Sequence, residues 1–388
     1  PRVDKAASML PRAATSPGEI HPLHDSPQES RPTPIIPMSS RRKFIKTTAA
    51  AGLSALAPCR AGFGSAAGER GGTTFILVAD THYSSVDEDH PASHAMVKAI
   101  NRIADGRTTW PTRLGGRATG FSTSGETIAP PAGIVHLGDM TDFGSQPELD
   151  GGRGYFGLKK YHGFRQFWEH DGPGKTKVRY PVYCGLGNHD LDFRQANRER
   201  MWSYLTTRHK GAGAPVPVDA FDPGSLCYSI HMGPVRILHL QRFVTDTRHG
   251  RASGLPWQKA QLSRAARSAE NDLICQHYGY DKFGLQNRWW KEHDRKQLLG
   301  ALAGHANLIG LCHGHSHATG SYSVGSLRII RCNNMGWEIT RGNKDGHGSF
   351  ALVHATTERF DLVHVDCTAP DGSFAFRPHH HLTLPLKG

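Results

Sequence analysis

Residues 308–317 read Leu-Ile-Gly-Leu-Cys-His-Gly-His-Ser-His, an apolar run that ends in three imidazoles, His313, His315 and His317. A strand that only packs a core has no use for them, because each buried ring still needs partners for two nitrogens. Metal binding would supply those partners. A chain with 25 His can also produce such a tract by composition alone, so the pattern carries weight only if it recurs.

It recurs along the chain. The β-branched run "TTFILVAD" (73–80) ends in Asp80 with His82 beyond it, "GIVHLGD" (133–139) ends in Gly138-Asp139, "YPVYCGLGNHD" (180–190) ends in Asn188-His189-Asp190, and "LICQH" (273–277) ends in His277. Each run has the length and residue types of a buried strand. In α/β folds the carboxyl ends of strands are where sites assemble, since the loops there converge on one edge. One strand ending in His would read as structural; five in succession, each delivering an oxygen or imidazole donor, do not.

Between the runs the spacing predicts helices. Met96, Val97, Ile100 and Ile103 fall at helical intervals, as do Leu158, Tyr161, Phe164 and Trp168, and residues 194–208 form a third segment. The Gly/Thr/Pro-rich stretch 107–131 reads as a surface insertion. Residues 226–240 predict a hairpin turning at Gly233-Pro234, and 322–332 and 349–365 predict closing hairpins. No internal repeat is apparent.

The first 70 residues stand apart. Residues 1–37 are rich in Pro and Ser with little apolar periodicity, consistent with a disordered or over-extended N-terminus. Met38 then opens "MSSRRKFIKTTAAAGLSALAP", which resembles a twin-arginine export signal: Arg41 and Arg42 with Phe44, Ile45 and Lys46 form the paired-arginine motif, and Thr47–Ala57 is a short, weakly hydrophobic stretch. The resemblance implies passage through the twin-arginine (Tat) translocase, cleavage near Ala67, and a periplasmic or secreted product; a basic disordered tail is the alternative. The domain expectation is therefore 1–37, a signal at 38–70, and one catalytic-size domain at 71–388.

Of the formal charge of +12, +5 sits in residues 1–70. The remaining excess suits an anionic small substrate better than a duplex, and no nucleic-acid-binding module is recognised. Cys184, Cys275 and Cys312 lie inside apolar runs, where a thiol behaves as a small hydrophobe, and no CxxC pair suggests a zinc knuckle. The sequence leaves the oligomeric state open.

Taken in order, D-x-H (Asp80, His82), G-D-x-x-D (Asp139, Asp142), G-N-H-D (Asn188, His189), a lone His (His277) and G-H-x-H (His315, His317) resemble the calcineurin-like metallophosphoesterase superfamily over about residues 73–318. The resemblance implies an α/β fold, a four-layered α/β/β/α sandwich with two mixed sheets, and phosphoester hydrolysis at a dinuclear centre. By the family pattern Asp80, His82 and His317 hold one metal, Asn188, His277 and His315 hold the other, and Asp139 bridges. Such a mixed N/O donor set suits Fe, Zn, Mn or Co and does not suit Ca. Phosphoester hydrolysis needs charge on the phosphoryl oxygens neutralised and a nucleophile generated near neutral pH, and two close metals do both. His189 is implied as the outer histidine that contacts the phosphate and protonates the leaving oxygen, with Asp142 orienting it; a loop hydrogen bond is the plainer reading of Asp142. His315 and His317, two apart on an extended segment, are expected to face one side. His313 has no role in the family pattern and is expected either to support the ligands from behind or to pack.

Two departures narrow the substrate. Phe143 stands where the superfamily's protein phosphatases have an Arg that grips phosphate, and Asp142 stands where purple acid phosphatases have Tyr. The pattern is closer to phosphodiesterase-like and sphingomyelinase-like branches, so a small anionic phosphoester is expected, a lipid-derived one included. Tyr278, Tyr280, Trp289 and Trp290 follow His277 and suit either an aromatic wall or a packed lid. A phosphomonoesterase and a metal-bound, non-catalytic binding protein remain as alternatives. His379–His381 read as a solvated or strand-end tract.

Overall fold

The first strand, β1 (Thr73–Val78), is apolar on both faces, and its surroundings explain why. Ile76 and Val78 enter one hydrophobic core, while Phe75 and Leu77 enter a second on the opposite side. A strand covered on both faces reads as a continuous apolar run, not as an alternating one. This computed structural model describes residues 72–84, 90–153, 160–268, 270–280, 288–332 and 348–387. The expectations for residues 1–70 lie outside the described residues.

From β1 the chain enters α1 (Pro91–Ile103), a small hairpin β2 (Arg113–Leu114) and β3 (Arg117–Ala118), then β4 (Ile134–His136). It continues through α2 (Gln146–Asp150), β5 (Gly152–Arg153), β6 (Lys160–Tyr161), α3 (Phe164–Trp168), β7 (Val182–Cys184), α4 (Asn188–Leu191) and α5 (Gln195–His209). The second half holds β8 (Ala220–Phe221), β9 (Tyr228–Met232), β10 (Val235–His239), α6 (Leu255–Ser268), β11 (Asn271–Gln276), α7 (Glu292–Leu302), β12 (Leu308–His313), β13 (Gly320–Val324) and β14 (Leu327–Arg331). Three strands close the chain: β15 (Ser349–Ala355), β16 (Arg359–Cys367) and β17 (Phe374–Pro385).

The strands form two mixed sheets, ordered β17-β16-β15-β1-β4-β7 and β13-β14-β12-β11-β10-β9-β8. β1, β4 and β7 run parallel in the first, and β10, β11, β12 and β14 run parallel in the second. Three cores separate four layers. α1, α3 and α5 cover the first sheet through Met96, Ile100, Trp168 and Leu205; Phe75, Leu77, Ile237 and Cys312 fill the space between the sheets; Leu262 of α6 and Leu298 of α7 cover the second sheet. Each such large apolar side chain contributes about 1.5–3 kcal/mol by full burial. The protein is thus the α/β/β/α sandwich expected, with β1, β4 and β7 of one sheet and β10, β11 and β12 of the other delivering their carboxyl ends to the site.

Several expectations change. The 107–131 stretch is no mere surface insertion: Trp110, Phe121 and Ile128 are buried in the first core, and Ser122 donates to the buried Asp361 through its backbone N–H (2.8 Å) and its hydroxyl (2.7 Å). The helix read over 158–168 is confined to Phe164–Trp168, because Tyr161 pairs in β6; Leu158 lies outside the described residues. His379–His381 sit within the edge strand β17, not at a strand end. The β16–β17 pairing shifts register between Val363 and Val365, near Pro378, which lacks the N–H a regular ladder needs. The hairpin at Gly233 is as expected, with the glycine at φ +60°.

Candidate metal centre

The strand-end residues expected to hold the metals come to one place. Ligand atoms of Asp80, His82 and His317 lie within 4.8 Å of one another, and so do those of Asp139, His277 and His315. Asn188 joins the second group, its Oδ1 being 3.1 Å from His277 Nε2. The Asp139 carboxylate spans both groups, with Oδ2 3.0 Å from His277 Nε2 and 3.8 Å from His82 Nε2. His82, Asp142 and His189 form a third triad on the outer side.

The backbone is bent to achieve this. Asp80, His82, Asp139, His315 and His317 all hold positive φ, between 44° and 60°. Left-handed backbone at non-glycine residues is costly and persists only where the surroundings over-determine it, which is typical of functional sites. His315 and His317 therefore reach the two groups through a left-handed bend and not through strand alternation, a correction to the extended geometry expected. The bend is held by Asp80, whose two carboxylate oxygens each accept the His315 backbone N–H at 3.0 Å. Gly187 is required for space, since a Cβ there would stand 2.0 Å from Asp139 Oδ1.

The protonation pattern tests whether a cation fits. His277 Nδ1 donates to the Leu137 carbonyl at 3.1 Å, which leaves Nε2 as a lone pair facing the Asn188 amide oxygen and the Asp139 carboxylate. His82 Nδ1 donates to Asp142 Oδ1 at 3.0 Å, so its Nε2 lone pair faces Asp80 and Asp139 and stands 3.4 Å from His317 Nε2. Lone pairs converging on carboxylates repel unless a cation or an added proton stands among them. His315 Nε2 is buried with no hydrogen-bond partner, another donor without a recipient. Imidazoles fixed through the second nitrogen to a carbonyl or carboxylate are the usual arrangement of metal-binding histidines. The donor set, imidazole with carboxylate and one amide oxygen, fits two transition metals.

Acidities follow the same logic. Burial pushes Asp80 up to about 6. Burial also works against a charged His82, but the Asp142 hydrogen bond with Asp139 and Asp80 outweighs it and lifts the imidazole to about 9. Burial works against an ionised Asp139, but the charge and hydrogen bond of His277 with the charges of His82 and His189 together outweigh it and hold the carboxyl well below the usual range. Burial, then His82, pushes His317 down to about 3, and burial with His277 holds His315 well below the usual range. Without metals His82 thus keeps a proton where a metal would bind, while His315 and His317 stay neutral.

The roles of the outer residues differ from expectation in one respect. His189 Nδ1 donates to the backbone carbonyl of Asp142 at 3.0 Å, while the Asp142 side chain holds His82. Asp142 positions both rings with different atoms. Asp190 is structural: it accepts from Gly187, Met140 and Thr141 backbone N–H groups and ties the β4 and β7 loops together. His313 packs under the site, its ring against Gly279, and enters neither group. Tyr278, Tyr280 and Trp290 are all buried in the outer core; of the four aromatics Tyr278 and Trp289 lie against the centre, each ring 4.6 Å from His315.

The sequence reading missed a layer behind the ligands. Gln241, buried at φ +59°, accepts the Leu186 N–H through its side chain at 2.9 Å and the His277 N–H through its carbonyl at 2.8 Å. His136 accepts the Gly138 N–H and bonds Thr81 Oγ1; His239 accepts the Gln241 N–H and donates to the His136 carbonyl. The signal was available, since "ILHLQ" (237–241) is also an apolar run ending in polar residues. The exposed Phe193, 5.8 Å from His189, was also missed.

No protein-family model and no curated protein sequence matches the chain. By structure it is similar to a dimetal phosphatase from Danio rerio, at 14% identity over 82% of this chain and 100% of that one, with a TM-score of 0.45. It is similar to GAP50, the anchor in the inner membrane complex of Plasmodium, at 12% identity over 82% and 90%, with a TM-score of 0.47. A conserved protein of Streptococcus pneumoniae described as a predicted phosphoesterase aligns at 10% identity over 81% and 97%, with a TM-score of 0.30.

Proposed function

We propose that this chain hydrolyses phosphoester bonds at a two-metal centre held by Asp80, His82, Asp139, Asn188, His277, His315 and His317, with diesters preferred over monoesters. The observation that carries the reading is the convergence of imidazole lone pairs and buried carboxylates on two adjacent points joined by Asp139. Two metals of the Fe, Zn, Mn or Co type supply charge neutralisation and a nucleophile near neutral pH. Asp139, buried and ionised, supplies the anion that lets two cations stand close. His189, fixed at Nδ1 by the Asp142 carbonyl, presents Nε2 to the leaving oxygen as proton donor. The residue after Asp142 is Phe143, which brings no second cation for a monoester dianion. We further propose that residues 38–70 direct export by the twin-arginine route.

The test is elemental analysis of protein purified without chelators, alongside hydrolysis of bis-p-nitrophenyl phosphate and p-nitrophenyl phosphate. The expected result is two transition metals per chain and faster diester cleavage. A metal-free protein that stays inactive after loading would overturn the reading, and a tenfold monoester preference, about 1.4 kcal/mol, would replace it with a phosphatase.

A further inference from the structure

Among the described residues, the exposed large hydrophobic side chains are Phe193 (43% exposed) and Trp289 (54% exposed), and both stand at the metal centre. Scattered exposed hydrophobics are ordinary; two gathered at one mouth are not. One lies against each end of the ligand array. Phe193 is 5.8 Å from His189 and 4.7 Å from Phe143, while Trp289 is 4.6 Å from His315 and 6.4 Å from Tyr278. His189 in turn packs 4.7 Å from His82 of the first group, whereas His315 belongs to the second.

The chemistry orders these walls. In hydrolysis, the water oxygen forms the new bond to phosphorus and the bond to the leaving oxygen breaks with its electron pair. The His189 proton goes to that oxygen, and a proton from the attacking water restores the imidazolium. The leaving alcohol therefore departs beside His189, against Phe193 and Phe143. A phosphoryl group seated between the two ligand groups then directs its other substituent away from His189, toward Tyr278 and Trp289. A monoester has nothing to place there.

We propose that, given the phosphoesterase reading, the substrate is a phosphodiester with an apolar or aromatic group on both alcohols. Phe193 receives the leaving group and Trp289 the retained one. The experiment compares kcat/KM for bis-p-nitrophenyl phosphate and methyl p-nitrophenyl phosphate in wild type, Trp289→Ser and Phe193→Ser. The two substrates share a leaving group, but the bis-aryl ester carries it twice and its second nitrophenyl group also activates the phosphorus, so the contact is read as the change in their ratio from one protein to another; a ratio taken within one protein does not depend on its metal loading. Wild type is expected to favour the bis-aryl ester about fivefold more strongly than Trp289→Ser does, the worth of one aromatic contact. Trp289→Ser thus lowers the ratio to the esters' intrinsic one, and Phe193→Ser slows both substrates and keeps the wild-type ratio. A ratio that is the same in Trp289→Ser as in wild type overturns the inference while leaving phosphoester hydrolysis intact. A fully loaded wild type that cleaves neither ester overturns the function itself, and this inference with it.

Discussion

The strand pair β10 and β11 buries charge at both ends and resolves it in opposite ways. At the amino end Arg236 and Asp272, paired in register, meet as a two-pronged ion pair, Nε to Oδ1 at 2.7 Å and Nη2 to Oδ2 at 3.1 Å, with His305 2.7 Å from Asp272 Oδ2. At the carboxyl end His277 faces Asp139, Asn188 and, at 3.9 Å, Asp80, with no Lys or Arg forming an ion pair to either acid among the described residues. One end carries both signs of its own charge and is a structural clamp. The other has no Lys or Arg among the described residues to oppose its acids, only imidazoles able to bind metal, and is built to receive a cation, since buried charge persists only when paired or coordinated to metal.

The sharpest way to break this contrast is Asp139→Asn. The amide keeps the shape of the side chain and removes the bridging charge. Loss of metal by elemental analysis is expected, with kcat/KM down by on the order of 10³-fold or more, the worth of metal-assisted charge stabilisation. Full metal content with normal turnover would remove Asp139 from the bridging position.

His189→Ala acts on the outer side of the same cluster. Both metals should remain, because His189 enters neither inner group, while kcat falls by roughly 10²–10⁴-fold, the usual worth of positioned acid–base help. Metal loss in this variant would make His189 a ligand.

Proton competition should give a smaller effect. In the cation-free protein His82 titrates at about 9, above its ordinary 6.5, and Asp80 at about 6, above 3.8. His82 therefore stabilises the metal-free fold below pH 6.5 and loses that contribution as pH rises through about 9. Asp80 weakens the metal-free fold as pH rises from about 4 to 6. A metal must displace the His82 proton, so affinity should rise about tenfold per pH unit between 7 and 9. The thermal shift on adding Zn²⁺ or Mn²⁺ should grow over that range, and a flat profile would show that no proton leaves His82.

How much of this was legible follows from what each feature depends on. Strand ends and their donors are local, so Asp80, His82, Asp139, Asn188, His277, His315 and His317 could be named from apolar runs ending in polar residues. The layer order was implied by the resemblance to the metallophosphoesterases and not by the runs themselves; the two apolar faces of β1 show its cause only in the structure. The left-handed bends at His315 and His317 were hidden, because a positive φ at histidine is imposed by tertiary contacts such as the Asp80 carboxylate and leaves no mark on the sequence. The division of Asp142 into a carboxylate for His82 and a carbonyl for His189 was hidden for the same reason. Phe193 and Trp289 are 96 positions apart, and only the fold brings both to one mouth.

The last prediction concerns the opposite end of β10 and β11, where the effect on the site should be smallest. Asp272→Asn removes one partner of Arg236, which is 2% exposed and keeps only Glu270, 3.0 Å away, as its carboxylate contact. Breaking a buried pair this way leaves an under-compensated charge and typically costs about 3 kcal/mol or more, visible as a lower urea midpoint. Metal content and kcat/KM should nevertheless stay within about twofold of wild type, because additivity holds for sites that share no partners. If the variant instead folded normally but lost metal, the two ends of the strand pair would be coupled, and the division between a closed structural clamp and an open cation site would fail.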